Sequence, residues 1–214
     1  MENNQGQYQQ LQNRLMEHIE KERIFTDPAL LLAYGTDASF YRLIPKMVVR
    51  LKNIDEVIFT IQACAQLNIA CTFRAAGTSL SGQAVSDSVL ITLTDDWRDH
   101  KIHDDGFKIT LQPGVIGADA NKYLAEFGRK IGPDPASINT CKIGGIAANN
   151  ASGMCCGSAQ NSYRTVDSMK LVFADGTFLD TSDLQSVKAF QAKQPTLIQG
   201  IKELCNKVAE NGQL

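Results

Sequence analysis

Leu11, Leu15 and Ile19, with Met16 beside them, recur at the spacing of one helical face among polar neighbours, which predicts an amphipathic helix over residues 8–24. A second, short helix is expected from Asp27 and Pro28, an N-cap followed by proline at the first helical position, to Gly35. Met47–Leu51 reads as a strand. A helix introduced by Asn53 follows, with Asp55 and Glu56 complementing the dipole of its first turn and Ile54, Val57, Ile58, Ile61 and Ala65 forming its apolar stripe. Residues 69–74 return as a strand, so this stretch is a β-α-β unit.

Further along, Val89–Leu93 is a short apolar strand. Residues 101–103 and 107–111 flank Asp104, Asp105 and Gly106 as a hairpin that ends at Pro113 and Gly114. A helix is expected over 118–127, closed by Gly128, and a shorter helical run opens at Gly144 and Gly145 and continues to Ala148. Residues 169–174 and 177–180 flank Asp175 and Gly176 as another hairpin, and 196–210 forms a terminal helix. The pattern is α+β, without an internal repeat or a low-complexity linker.

Composition narrows the class. With 43% hydrophobic and 21% charged residues, the 214-residue chain has the makeup of an ordinary globular protein and enough length for one good core or two small ones. A net charge of -2 provides no global positive field for nucleic acid. The start is polar, without the apolar core of a secretory signal, and no apolar run reaches membrane-spanning length, so the expectation is a cytoplasmic protein without a transmembrane segment, with peripheral membrane association left open. Six cysteines contain no C-x-x-C pair, and with the three scattered histidines they argue for reduced, mostly buried thiols and against a zinc site.

The strongest chemical signal is the run Arg74, Ala75, Ala76, Gly77, Thr78, Ser79, Leu80, Ser81, Gly82, directly after a β-branched strand. Small residues around two glycines let many backbone N–H groups approach one anion, as a pyrophosphate cradle requires. The spacing of Gly77 and Gly82 matches a P-loop, but Gln83 and Ala84 stand where that motif needs Lys and Ser or Thr, and no G-x-G-x-x-G occurs. A second segment of the same character contains Gly132, Pro133, Asp134, Pro135, Ala136 and Ser137, then Thr140, Ile143, Gly144 and Gly145, then Asn150, Ser152 and Gly153. Two separated cradles suggest a long ligand held at both ends. A Gly-rich turn of purely structural purpose and a phosphate-ligand binder without a redox role are the rival readings.

Together with Val172, Phe173, Ala174, Asp175 and Gly176, these motifs resemble the FAD-binding domain (PCMH type) of the vanillyl-alcohol oxidase family over residues 35–212, most of all its D-lactate and D-2-hydroxyglutarate dehydrogenases, including forms fused to an iron–sulfur module. The resemblance implies a two-lobed fold: a helical segment over 1–36, then an FAD-binding domain over 37–214 with lobes of about 37–95 and 96–214. It also implies non-covalent FAD as cofactor, and an iron–sulfur cluster only in a longer parent protein.

Site residues carry over by position. Arg74, Ala75, Ala76, Gly77, Thr78, Ser79, Leu80 and Gly82 are expected at the pyrophosphate, and Pro113 and Gly114 at a turn beside the cofactor. Pro133, Pro135, Ala136 and Ser137 are expected along the ribityl and flavin side, with Thr140, Ile143, Gly144, Gly145, Asn150, Ser152 and Gly153 completing the pocket and Val166 at the adenine. The family's loop begins Arg-Gly, and Ala75 replaces that glycine, at a cost of about 1 kcal/mol if the position needs positive φ and little if it lies in the β region, which is the expectation. Asp134 and Asp167 suit turn or cap roles, so no catalytic residue is assigned. The implied reaction is hydride transfer from the α-carbon of a small 2-hydroxy acid to flavin N5, with the base and the carboxylate-binding cations on a C-terminal substrate domain absent from this chain. The alternative is a separate flavin-binding or electron-transfer subunit with a catalytic partner chain.

Overall fold

The computed structural model describes residues 2–210, with side chains from residue 6 onward; residues 211–214 of the expected FAD-binding domain lie outside the described residues. The chain divides into two compact units, Met1–Val166 and Asp167–Leu214.

The first unit opens with α1 (Glu2–Leu15), β1 (Ile24–Phe25), α2 (Pro28–Ala33), β2 (Met47–Leu51), α3 (Ile54–Gln66), β3 (Cys71–Phe73) and β4 (Val89–Leu93). Its main sheet runs β1-β2-β4-β3, with β1 antiparallel to β2 and the other three strands parallel. The expected β-α-β unit is present, but β4 inserts between its two strands. Met47, Val48, Val49, Val89, Leu90 and Ile91 are essentially solvent-free, because a central parallel strand is covered on both faces and so reads as an unbroken apolar run. Val48 and Leu90 pack with Leu31 of α2, against Phe25 and Tyr34. Alternation sends Val89, Ile91 and Cys71 to the opposite face.

Local chemistry sets the helix ends. The Asp27 carboxylate accepts from the amides of Ala29 (3.0 Å) and Leu30 (3.1 Å), and Asn53 Oδ1 accepts from Glu56 N–H (2.9 Å), so both expected N-caps form. The first helix departs from the expected 8–24. Leu11, Leu15 and Ile19 are buried as their spacing requires, yet the helix stops at Leu15. Beyond it, Arg23 is drawn to the Glu56 carboxylate and the Arg50 carbonyl (2.8 Å), and Ile24 and Phe25 pair with β2. Tertiary pairing overrides helical periodicity there. The buried stripe of α3 is also rotated from the expected one: Glu56, Val57, Thr60, Ile61, Ala63 and Cys64 face inward, while Ala65 is exposed.

The unit continues through the hairpin β5 (His100–His103) and β6 (Lys108–Leu111), then α4 (Gly117–Leu124), α5 (Ile143–Ala148) and α6 (Ser162–Thr165). A short 3-10 turn extends α4 to Phe127, and Gly128 at φ 64° closes it, as a left-handed C-cap should. The second unit comprises the hairpin β7 (Lys170–Val172) and β8 (Phe178–Asp180), then α7 (Leu184–Lys193) and α8 (Pro195–Glu210). Phe190 and Leu179 are its buried apolar anchors, and the Phe173 and Phe190 rings lie 4.6 Å apart. The sequence reading overlooked α7, although Asp183 caps it through the Gln185 amide (2.8 Å).

Candidate functional site

The first cradle is the connection from β3 to β4. Arg74 N–H donates to Ile91 O (2.8 Å), which extends the sheet by one residue before the chain turns away. Gly77 and Gly82 have φ of 72° and 68°, the region that glycine enters without steric cost, while Ala75 is not among the residues with positive φ. The alanine at the family's glycine position is therefore unstrained. A Cβ on Gly82 would come within 2.7 Å of the Tyr41 ring.

The loop is braced from outside. Arg74 donates to the carbonyls of Tyr34 (3.2 Å) and Thr36 (2.7 Å) and lies over the Tyr34 ring, and Ala38 N–H donates to Gly77 O (2.9 Å). Its guanidinium thus braces the root of the loop. Asp37 accepts from Ser39 N–H (2.8 Å), the Ser39 hydroxyl (2.5 Å) and Ala84 N–H (3.3 Å). Burial pushes its carboxyl up, but these donors and the nearby Arg74 charge outweigh it and leave the pKa below the usual carboxylate range. Within the loop, Ser79 Oγ accepts from the amides of Ser81 (3.2 Å) and Gln83 (3.3 Å).

Those braces consume carbonyls and side chains and leave amides free. Among the described residues, the N–H groups of Ala75, Ala76, Gly77, Thr78, Ser79, Leu80 and Gly82 take no acceptor from the protein. Unpaired amides in a row of small residues form a concave donor surface for an anion. This is the chemistry that a pyrophosphate needs, so the residues fit the expected group.

The second cradle is assembled around α5. Ile143 N–H donates to Val115 O and Gly144 N–H to Pro113 O, both at 2.9 Å, while Gly114 N–H donates to Trp97 O (2.9 Å). Pro113 and Val115 are thereby stitched to the start of α5, and Gly114 between them to Trp97. A Cβ on Gly144 would press on Pro113 at 2.9 Å, and one on Gly153 would overlap the Asp134 carbonyl, so the glycines permit close backbone packing. Pro133, Pro135, Ala136 and Ser137 lead into a turn in which Ser137 O accepts from the amides of Thr140 and Cys141 (2.8 Å each). Asn150 has φ 51°, and its Oδ1 accepts from Tyr163 N–H (2.9 Å). The Cys156 thiol donates to Gly157 O (3.2 Å), while Cys155 is exposed. The amides of Gly145, Ser152 and Gly153 are free of protein acceptors among the described residues.

The two cradles meet. A Cβ on Gly145 would stand 3.3 Å from the Cβ of Ala75, so the start of α5 lies directly against the first loop, although 70 residues separate them. Val166, the C-cap of α6, is 41% exposed and so is not a core valine. Lys142, the residue before α5, is a cation that the sequence reading passed over. Burial, then the neighbouring charge of Arg98, holds its pKa below the ordinary amine range, and Asp95 acts in the opposite sense. Asp37 was also missed, although the small polar spacing Asp-x-Ser is a recognisable turn signal.

This geometry coincides with a family match: residues 45–182 fit the model of the FAD binding domain. The chain belongs to that family. The resemblance to vanillyl-alcohol oxidase flavoproteins read from the two loops is borne out. Glycolate oxidase subunit GlcD of Escherichia coli strain K12 is 32% identical over 145 residues, covering 66% of this chain and 29% of that protein. D-2-hydroxyglutarate dehydrogenase of Haemophilus influenzae is 27% identical over 184 residues, covering 82% of this chain and 17% of that protein. The chain therefore spans less than a third of these relatives. Among solved structures, alkyldihydroxyacetonephosphate synthase superposes with TM-score 0.68 at 15% identity, over 83% of this chain and 35% of that one. The 6-hydroxy-D-nicotine oxidase of Arthrobacter nicotinovorans superposes with TM-score 0.65 at 18% identity, over 76% and 36%. These two likenesses establish the α+β, PCMH-type fold.

Proposed function

We propose that this chain is the FAD seat of a flavin-dependent dehydrogenase of small 2-hydroxy acids, of the D-lactate dehydrogenase kind. The observation that carries the reading is the meeting of two amide-rich loops at Ala75 and Gly145. Glycolate and D-2-hydroxyglutarate, the compounds in the names of the two relatives, are both 2-hydroxy acids. The FAD-binding region is assigned to residues 37–214, after a helical segment over 1–36, and the compartment to the cytoplasm. Among the described residues no helix is long and apolar enough to cross a membrane.

In this reading the free amides of residues 75–80 and 82 bind the pyrophosphate, with Arg74 as the brace that keeps the loop open. Pro113, Gly114, Thr140, Ile143 and Gly144 shape the wall against which the flavin ring rests, and Pro133, Pro135, Ala136 and Ser137 border its ribityl side. The amides of Gly145, Ser152 and Gly153, with Asn150, face its polar edge, and Val166 contacts the adenine. When bound, FAD supplies a two-electron acceptor for the hydride of the substrate α-carbon. No histidine lies in either loop, which argues against a histidyl link to the flavin, while Cys141, Cys155 and Cys156 leave a cysteinyl link as the alternative to non-covalent FAD. The base for the hydroxyl proton and the cations for the carboxylate come from a substrate domain or a partner subunit.

The FAD-loaded chain, mixed anaerobically with excess D-lactate, glycolate or D-2-hydroxyglutarate, is expected to keep its oxidised flavin absorption, and to bleach once the partner domain or subunit is supplied. Bleaching by the isolated chain at an ordinary enzymatic rate would contradict the division of labour. A reconstituted enzyme that bleaches with sugars and not with 2-hydroxy acids would contradict the substrate class.

A further inference from the structure

The residues of the two cradles all lie at or beyond Arg74, yet an earlier segment borders the first loop. Thr36 and Arg42 form an isolated antiparallel bridge, and Leu43 N–H donates to Gly35 O (3.1 Å), so residues 36–42 make a small closed turn. Inside it the Ser39 hydroxyl donates to Asp37 (2.5 Å) and accepts from Tyr41 N–H (3.2 Å), which fixes the backbone at Tyr41. The turn is fastened to the loop at two points: Ala38 N–H donates to Gly77 O (2.9 Å), and the Asp37 carboxylate accepts from Ala84 N–H (3.3 Å). Gly82 lies between those points, and Tyr41 covers it. Its Cδ2, Cγ and Cβ stand 2.7, 3.0 and 3.1 Å from the place that a Cβ on Gly82 would take.

We propose that Tyr41 is a further FAD-contacting residue, its ring forming the wall of the first loop at the Gly82 end. The amides free to meet an anion run from Ala75 to Leu80 and resume at Gly82, so a group seated along them reaches the residue that the ring covers. Tyr41 is not spent on the protein: it is 55% exposed, and its hydroxyl makes no hydrogen bond to the protein among the described residues. A phenol suits such a wall, because its flat apolar body keeps water off one side of the amides while its polar tip stays wet. Excluding water lowers the local dielectric and strengthens each amide–phosphate hydrogen bond. Gly82 is then required twice, by its φ of 68° and by the ring laid against it. The role rests on FAD being the ligand of the loop.

Hydroxyl-radical footprinting of the full chain, read by mass spectrometry with and without saturating FAD, tests the contact without any turnover. Phe107, an exposed ring in the β5–β6 connection, calibrates the radical dose in each sample. Relative to it, Tyr41 should be oxidised about fivefold more slowly with FAD bound, since a bound ligand and its walls hide most of each other's surface. In a fluorescence titration, Y41A should bind FAD about tenfold more weakly than wild type, through the lost aromatic contact. Unchanged oxidation of Tyr41 in a chain that binds FAD, or a folded Y41A chain that binds FAD as tightly as wild type, would overturn the role of Tyr41 and leave the FAD seat standing. A natively folded wild-type chain that takes up no FAD would overturn both. Should Y41A fail to fold, the wild-type footprint decides by itself.

Discussion

Gly153 and Gly77 are glycines for different reasons. Gly153 has a backbone neighbour, the Asp134 carbonyl, in the space that a Cβ would fill. Gly77 has φ 72°, and a Cβ there would meet the Arg74 guanidinium 2.5 Å away, a side-chain end that can shift but only by loosening its bonds to the Tyr34 and Thr36 carbonyls. Gly153→Ala should therefore cost about 3 kcal/mol through overpacking against backbone, and Gly77→Ala about 2 kcal/mol, roughly half from its left-handed conformation and half from the loosened brace. Urea denaturation of both variants checks the order; equal midpoints would show that the Asp134 contact yields readily. Composition made these loops visible, since small residues beside glycine are what a close-approaching backbone requires. The use of Arg74 was invisible, because its guanidinium answers to carbonyls of Tyr34 and Thr36, some forty residues earlier in the chain.

At the level of elements, Glu56 shows how a local rule can be right and incomplete. It stands in the first turn of α3, where the helix dipole favours a carboxylate, yet it is 5% exposed and holds the structure together. Its oxygens accept from both terminal nitrogens of Arg23 (2.6 and 2.7 Å) and from Lys52 N–H (2.9 Å), and Arg23 also pairs with Glu20. The pair joins α3 to the turn before β1 and to the end of β2. Glu56→Gln should destabilise the chain by about 3 kcal/mol, because it leaves Arg23 partly buried opposite a neutral amide. A urea midpoint within error of wild type would show that Glu20 alone suffices for Arg23. The same contact explains the shortened first helix. Apolar spacing revealed which residues of α1 and its continuation are buried; nothing local announced that Arg23 would be pulled away to a carboxylate 33 positions on. Strands β2 and β4 were legible to the residue, being short β-branched and apolar runs, each broken by one polar residue (Arg50 and Thr92), whereas the two-residue β1 carries too little pattern to be read.

For the whole molecule, the central claim is that two loops from distant parts of one unit close on a single dinucleotide. The family match spans both loops, and the free amides explain in physical terms what the match means. The relatives extend well beyond the segment that this chain shares with them, which is why seat and catalysis are assigned to different parts of the enzyme. The motifs gave the expectation of two separated loops serving one long ligand; that the loops touch, Ala75 on Gly145, needed coordinates, since no local pattern encodes the approach of residues 70 positions apart. A fluorescence titration of the purified chain with FAD, run beside Gly145→Phe, tests this claim most directly. Wild type should bind one FAD per chain saturably, and the variant, with a ring wedged between the loops, should bind at least about tenfold more weakly, a loss of about 1.4 kcal/mol. A natively folded wild-type chain that takes up no FAD, or a Gly145→Phe chain that binds it as tightly as wild type, would contradict the account.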